Sequence, residues 1–164
     1  MEIAKSFTVT VPHAKHNLLI ATQGSAYKNA VVEGVIEATK GRQMTIEVID
    51  VSALSKVKIE DWNAIVVIHT WENWQPQMEA AKFAQQHHNL TKVIFLATSG
   101  KGDLSIPGVD AITSASLLAD VPTFNVADVP RPKVVRCAEA SASSNSALPA
   151  AVKSYVAAVP EPVN

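Results

Sequence analysis

The sequence predicts an α/β protein: a three-layer, doubly wound parallel sheet with helices on both faces. Apolar runs with no polar face recur at residues 18–22 (LLIAT), 64–69 (AIVVIH) and 92–98 (KVIFLAT), as strands covered on both sides require. Between them the period changes to that of a helix, at residues 29–40 and again from Pro76 to His88. Strand, helix, strand, short link, strand, helix, strand is the order that winds a parallel sheet.

Taken in order, the first 16 residues alternate at Phe7, Val9 and Val11, and form an arm or an edge strand. Residues 17–160 make up the domain. Strand 18–22 runs into a helix with Val31, Val32, Val35 and Ile36 on one face, and Gly41 stops it in a left-handed conformation. Residues 44–51 read as a β-branched second strand and 64–69 as a third. Pro76 suits a helix start, with Met78, Ala81, Phe83 and Ala84 forming an apolar stripe. After strand 92–98, residues 109–113 suggest a fifth strand with no helix before it. Residues 121–147, rich in proline, alanine and serine, read as irregular. Leu148, Val152, Tyr155, Val156 and Val159 recur at helical spacing and predict a closing helix.

Composition narrows the function classes. Of 164 residues, 48% are hydrophobic and 18% charged, as in an ordinary folded domain. Fourteen basic and 15 acidic residues give a net charge of −1, with no basic stripe for nucleic acid. The lone cysteine, Cys137, excludes an intrachain disulfide and a cysteine-cluster metal site. No apolar run has the length of a membrane span, and the N-terminus lacks a signal-peptide core, so a cytoplasmic protein is the expectation. A homodimer is compatible with the sequence. None of the five histidines is assigned to a metal.

In an open parallel sheet, ligands bind beyond the carboxyl ends of the strands, where strand order reverses. Three loops lie there. Residues 23–29 (QGSAYKN) join the first strand to its helix; Gly24 permits a tight turn, Ser25 offers a hydroxyl, and Lys28 a cation beside free helical N–H groups. They suit a phosphate, and equally an ordinary turn capped by Asn29. Residues 69–76 (HTWENWQP) carry Trp71 and Trp74 next to Thr70; each tryptophan either stacks on a planar ligand or packs beneath the loop. His69 and Glu72 could pair as acid and base, though a strand-terminal histidine is more often structural. In residues 98–108, Thr98, Ser99, Gly100, Gly102 and Asp103 would bring backbone N–H groups to a ligand edge, or merely form a surface loop.

Together these loops resemble the FMN site of the flavodoxin-like superfamily, over roughly residues 18–116. The flavodoxin phosphate loop T-x-T-G-N-T matches poorly at residues 24–28. The related flavin-reductase loop G-S-x-x-K-N matches at Gly24, Ser25, Lys28 and Asn29. That register implies that Ser25, Lys28 and Asn29 hold the FMN phosphate. The resemblance further implies that Trp71 and Trp74 flank the isoalloxazine on one side and residues 98–103 on the other. Residues 110–116 (DAITSAS) are faintly similar to an acceptor motif for covalent flavin. They depart from it at Ser114 and Ser116, and a buried strand running into a turn explains them as well.

The resemblance implies an FMN-binding redox protein or small flavin-dependent oxidoreductase. It would work with a partner protein or a small-molecule electron acceptor, the flavin supplying the electron chemistry. A net charge of −1 differs from the strong acidity of dedicated electron carriers. The alternative is a module that keeps the fold without flavin and binds a partner or small ligand in the same cleft.

Overall fold

Thirteen residues of helix start from what Ser25 does at the end of one strand. The structure, a computed structural model, describes residues 2–72, 75–99, 109–114 and 124–125. Along them run β1 (Phe7–Val9), β2 (His16–Thr22), α1 (Ala26–Ala38), β3 (Met44–Asp50), two 3-10 turns (Val51–Lys56, Ile59–Asp61), β4 (Ala64–Glu72), β5 (Gln75–Pro76), α2 (Met78–His87), β6 (Val93–Ser99), β7 (Ala111–Ser114) and β8 (Phe124–Asn125). Ser25 is extended, and its hydroxyl accepts a hydrogen bond from the Lys28 N–H at 3.1 Å. This N-cap starts α1 at Ala26, ahead of the expected residue 29, and leaves Asn29 exposed within the helix. Thr39 caps the other end, and Gly41 turns the chain away at φ 85°.

The sheet is mixed and mostly parallel. β3, β2, β4, β6 and β7 lie in that order, each parallel to its neighbours. β1 joins antiparallel to β3, and β8 antiparallel to β7. The chain therefore leaves β2 toward one edge, returns past it to β4, and proceeds to the other edge. Strand order reverses between β2 and β4.

Alternation along the strands serves two cores. On one face Leu18, Ile20, Ile46, Val48, Val66 and Ile68 pack against Val31, Val32 and Val35 of α1. On the other, Leu19, Ala21, Ile65, Val67 and Phe95 pack against Val51 and Leu54 of the first 3-10 turn and Ala80 and Phe83 of α2. Strands buried on both faces explain the continuous apolar runs in the sequence. Helix on one face and helix with 3-10 turns on the other give a layered α/β arrangement.

Several boundaries differ from expectation for physical reasons. β4 continues past His69 to Glu72 because β6 stays paired with it through Thr70, and the chain then folds back so that Pro76 faces Trp71 in β5. Pro76, expected at a helix start, thus sits in a short edge strand that asks no N–H of it. Gln77 caps α2 instead, its Oε1 accepting from the Ala80 N–H at 2.7 Å. Ala80 and Phe83 are the buried positions of α2, while Met78, expected in its apolar stripe, is 62% exposed.

β7 pairs only with the carboxyl-terminal part of β6, from Leu96 opposite Ala111 to Ser99 opposite Ser114. Just before it, Asp110 gives its N–H to the Phe95 carbonyl and accepts the Phe95 N–H on Oδ2 at 2.8 Å. The expected irregular stretch 121–147 lies outside the described residues except at β8, and the expected helix 148–159 lies wholly outside them.

Candidate functional site

The reversal point brings the turn after β2 against the end of β4. Gln23, buried, accepts the Thr70 N–H on Oε1 at 2.6 Å. Lys28, only 4% exposed, donates from Nζ to Thr70 Oγ1 at 2.6 Å. Thr70 is thus held by both its backbone and its side chain, and Lys28 points inward. Gln23 had given no signal in the sequence, because its role exists only across the gap between two strands.

The N-terminal arm closes over the same turn. The Gly24 N–H donates to the Glu2 carbonyl at 2.9 Å, and a Cβ on Gly24 would lie 2.8 Å from that oxygen. Glycine is needed here for close approach of backbone to backbone. Two residues on, the Ala4 N–H donates to Asp50 Oδ2 at 2.8 Å, while Asp50 Oδ1 accepts from the Ser52 N–H and caps the 3-10 turn. Partial burial works to raise the Asp50 pKa, but the donors from Ser52 and Ala4 outweigh it and hold the carboxyl below its ordinary value.

A pocket opens on the α2 face at the carboxyl end of β4. It has a volume of about 460 Å³, within the range of small-molecule sites. His69 and Trp71 form the strand wall, Ala80, Ala81 and Ala84 the helix wall, and Pro76, Gln85, His88 and Val109 complete it. Space exists because three alanines of α2 reach no farther than Cβ. Those alanines were the available sequence signal, hidden within an ordinary amphipathic pattern. Trp71 packs on Ala97 beside Val109.

His69 is 3% exposed, and its Nδ1 lies 3.3 Å from the Thr70 carbonyl. Burial pushes its pKa down; the Thr70 carbonyl opposes this, and the positive charge of Lys28 adds to it. The ring is therefore neutral at pH 7. Thr98, fully buried, donates through Oγ1 to the His69 carbonyl at 3.4 Å, and Ser99 is buried at the end of β6.

The expected site residues thus divide. Gly24, Ser25, Lys28 and Thr70 meet at the reversal point, with Asn29 outside on the helix surface. Trp71 lines the pocket, whereas Thr98, paired with Thr70, lies on the opposite, α1 face of the sheet. Trp74, Gly100, Gly102 and Asp103 fall outside the described residues, as does the end of the DAITSAS segment. Of the suggested acid–base pair, His69 places Nδ1 beside the Thr70 carbonyl, and the Glu72 side chain lies outside the described residues.

Tested against FMN, the two halves of the site behave differently. The pocket beside Trp71 offers about 460 Å³ against an indole wall. The turn does not fit a phosphate as arranged: Glu2 uses the Gly24 N–H, Ser25 caps α1, and the Lys28 ammonium is buried on Thr70. Among the described residues, no group of three or more histidine, cysteine, aspartate or glutamate side chains is placed to hold a metal. None of their helices is long and apolar enough to cross a membrane. No protein-family model matches this chain, and no curated protein matches its sequence.

Proposed function

We propose that this is a flavodoxin-like ligand-binding domain whose pocket on the α2 face takes a planar heteroaromatic ring, a flavin being the first candidate. The observation that carries this reading is the pocket of about 460 Å³ at the carboxyl end of β4, walled by Trp71 and the alanines of α2. It lies next to the reversal of strand order, where parallel sheets hold their ligands. An indole wall favours a flat π-system, and an apolar floor favours one with little charge. The strand order β3-β2-β4-β6-β7 supports the flavodoxin-like assignment.

On this reading the ring, not a phosphate, provides the main hold. FMN therefore binds no better than riboflavin. A redox role, with a partner protein or small acceptor, belongs to the protein when a flavin is the ligand. The arm over Gly24 favours a second reading, in which the cleft accepts a phosphate-free ring other than flavin.

Titration of riboflavin and FMN with the purified chain, followed by quenching of flavin fluorescence, tests both. Equal micromolar affinities support the ring-led reading. An FMN affinity far above that of riboflavin, lost in Lys28→Ala, restores the phosphate site. Absence of binding by either removes flavin as the ligand.

A further inference from the structure

His69 stands where an apolar strand meets the pocket. Ile65 and Val67, four and two residues before it on the same face of β4, are wholly buried in the core. Trp71, two residues on, is the ring-bearing wall. Among the described residues, His69 is thus the one side chain of β4 on this face that brings a hydrogen-bond acceptor to the pocket.

Its tautomer follows from its neighbour. The Thr70 carbonyl can only accept, so the Nδ1 beside it carries the proton of the neutral ring. Nε2 then bears a lone pair. No hydrogen bond reaches Nε2 from the described residues. An acceptor left on an apolar wall loses water when a ligand enters, and regains a partner only if that ligand supplies a donor.

We propose that His69 Nε2 is the acceptor that selects, among flat heteroaromatic ligands, those presenting a ring N–H, with Trp71 holding the ring face. This rests on the ring-binding reading above and adds its specificity. The chemistry required is that of an imide or lactam edge, as in alloxazines, pterins and oxopurines. Lys28 on α1 and His88 on α2 are the other basic groups nearby. Lys28 is committed to Thr70, while Gln85 and His88, which also line the pocket, are exposed on α2. The buried acceptor, beside the face of Trp71, is that of His69.

Two probes of nearly equal shape test this: lumichrome, which has ring N–H groups, and 1,3-dimethyllumichrome, which has none. The full chain should bind lumichrome roughly tenfold to a hundredfold more tightly, by fluorescence titration. His69→Phe should abolish the preference while still binding the dimethyl compound, and His69→Gln should restore part of it. In wild type, lumichrome should also shift the ¹⁵N resonance of Nε2 more than that of Nδ1, a readout independent of whether the variants fold. Equal binding of the two probes to wild type overturns the role of His69 and leaves the ring site standing. Failure of both probes to bind overturns the ring site and this inference with it.

Discussion

Asp50 and Gly24 show how single residues tie the arm to the sheet. The Asp50 carboxylate accepts N–H groups from Ala4 and Ser52, which lie on opposite sides of it in the chain. Asp50→Asn replaces one accepting oxygen by an NH2 group and removes the charge from the other, so one bond is lost and one weakened; this should cost about 1–3 kcal/mol. Urea midpoints would measure it. Because its folded pKa is lowered, the contribution of Asp50 is present above the unfolded carboxylate value and lost as pH falls through the folded one. In D50N that acid loss should shrink. Gly24→Ala pushes a methyl to within 2.8 Å of the Glu2 carbonyl. It should lift the arm, so that the residue 24 amide exchanges with solvent far faster than in wild type. Unchanged exchange would contradict the close approach.

At the scale of elements, α2 is held by a small buried face. Phe83 packs on Phe95 with ring centroids 6.2 Å apart and on His87 at 4.6 Å. Phe83→Ala should destabilise the protein by about 3–5 kcal/mol through the cavity it leaves, seen as a lower denaturation midpoint. The pocket wall should loosen with it. How well an element could be read from sequence depended on what fixes it. The central strands were legible because burial on both faces writes an uninterrupted apolar run. The start of α1 was misplaced because Ser25 and Asn29 are both good caps, and only the geometry of the chain decides between them. The hairpin of β4 and β5 was hidden because pairing with β6, distant in sequence, carries β4 beyond His69. Trp71, expected either to stack on a ligand or to pack beneath its loop, lines the pocket and packs on Ala97. Its companions Ala80, Ala81 and Ala84 look like core positions until the space in front of them is seen.

For the whole molecule, two buried faces share one sheet, and its ionisable ties respond to acid in the same direction. His69 has a lowered folded pKa, so the unfolded chain takes up its proton first as pH falls. Its contribution is complete above its unfolded value, near 6.5, and is lost as pH falls toward the folded one. Stability should therefore decline in two stages on acidification: one beginning below about pH 6.5 for His69, and a second in the carboxylate range for Asp50. Denaturation midpoints between neutral and acid pH would trace both, and His69→Phe should remove the first alone. A single decline confined to the carboxylate range would contradict the burial of His69.

The short reach of β7 also bears on how this protein behaves at high concentration. Ile94 and Phe95 lie on β6 below the level at which β7 joins, and among the described residues no strand pairs with them on that side. Such a strand edge can recruit the same edge of a second molecule. Asp110 occupies both backbone groups of Phe95, so a carboxylate sits where an incoming strand would have to hydrogen-bond. It acts as a guard against misassembly as much as a local tether. Asp110→Ala should raise light scattering on concentration or mild warming, before any loss of secondary structure. On this view one side chain protects the sheet where, among the described residues, the pairing of β6 with β7 stops.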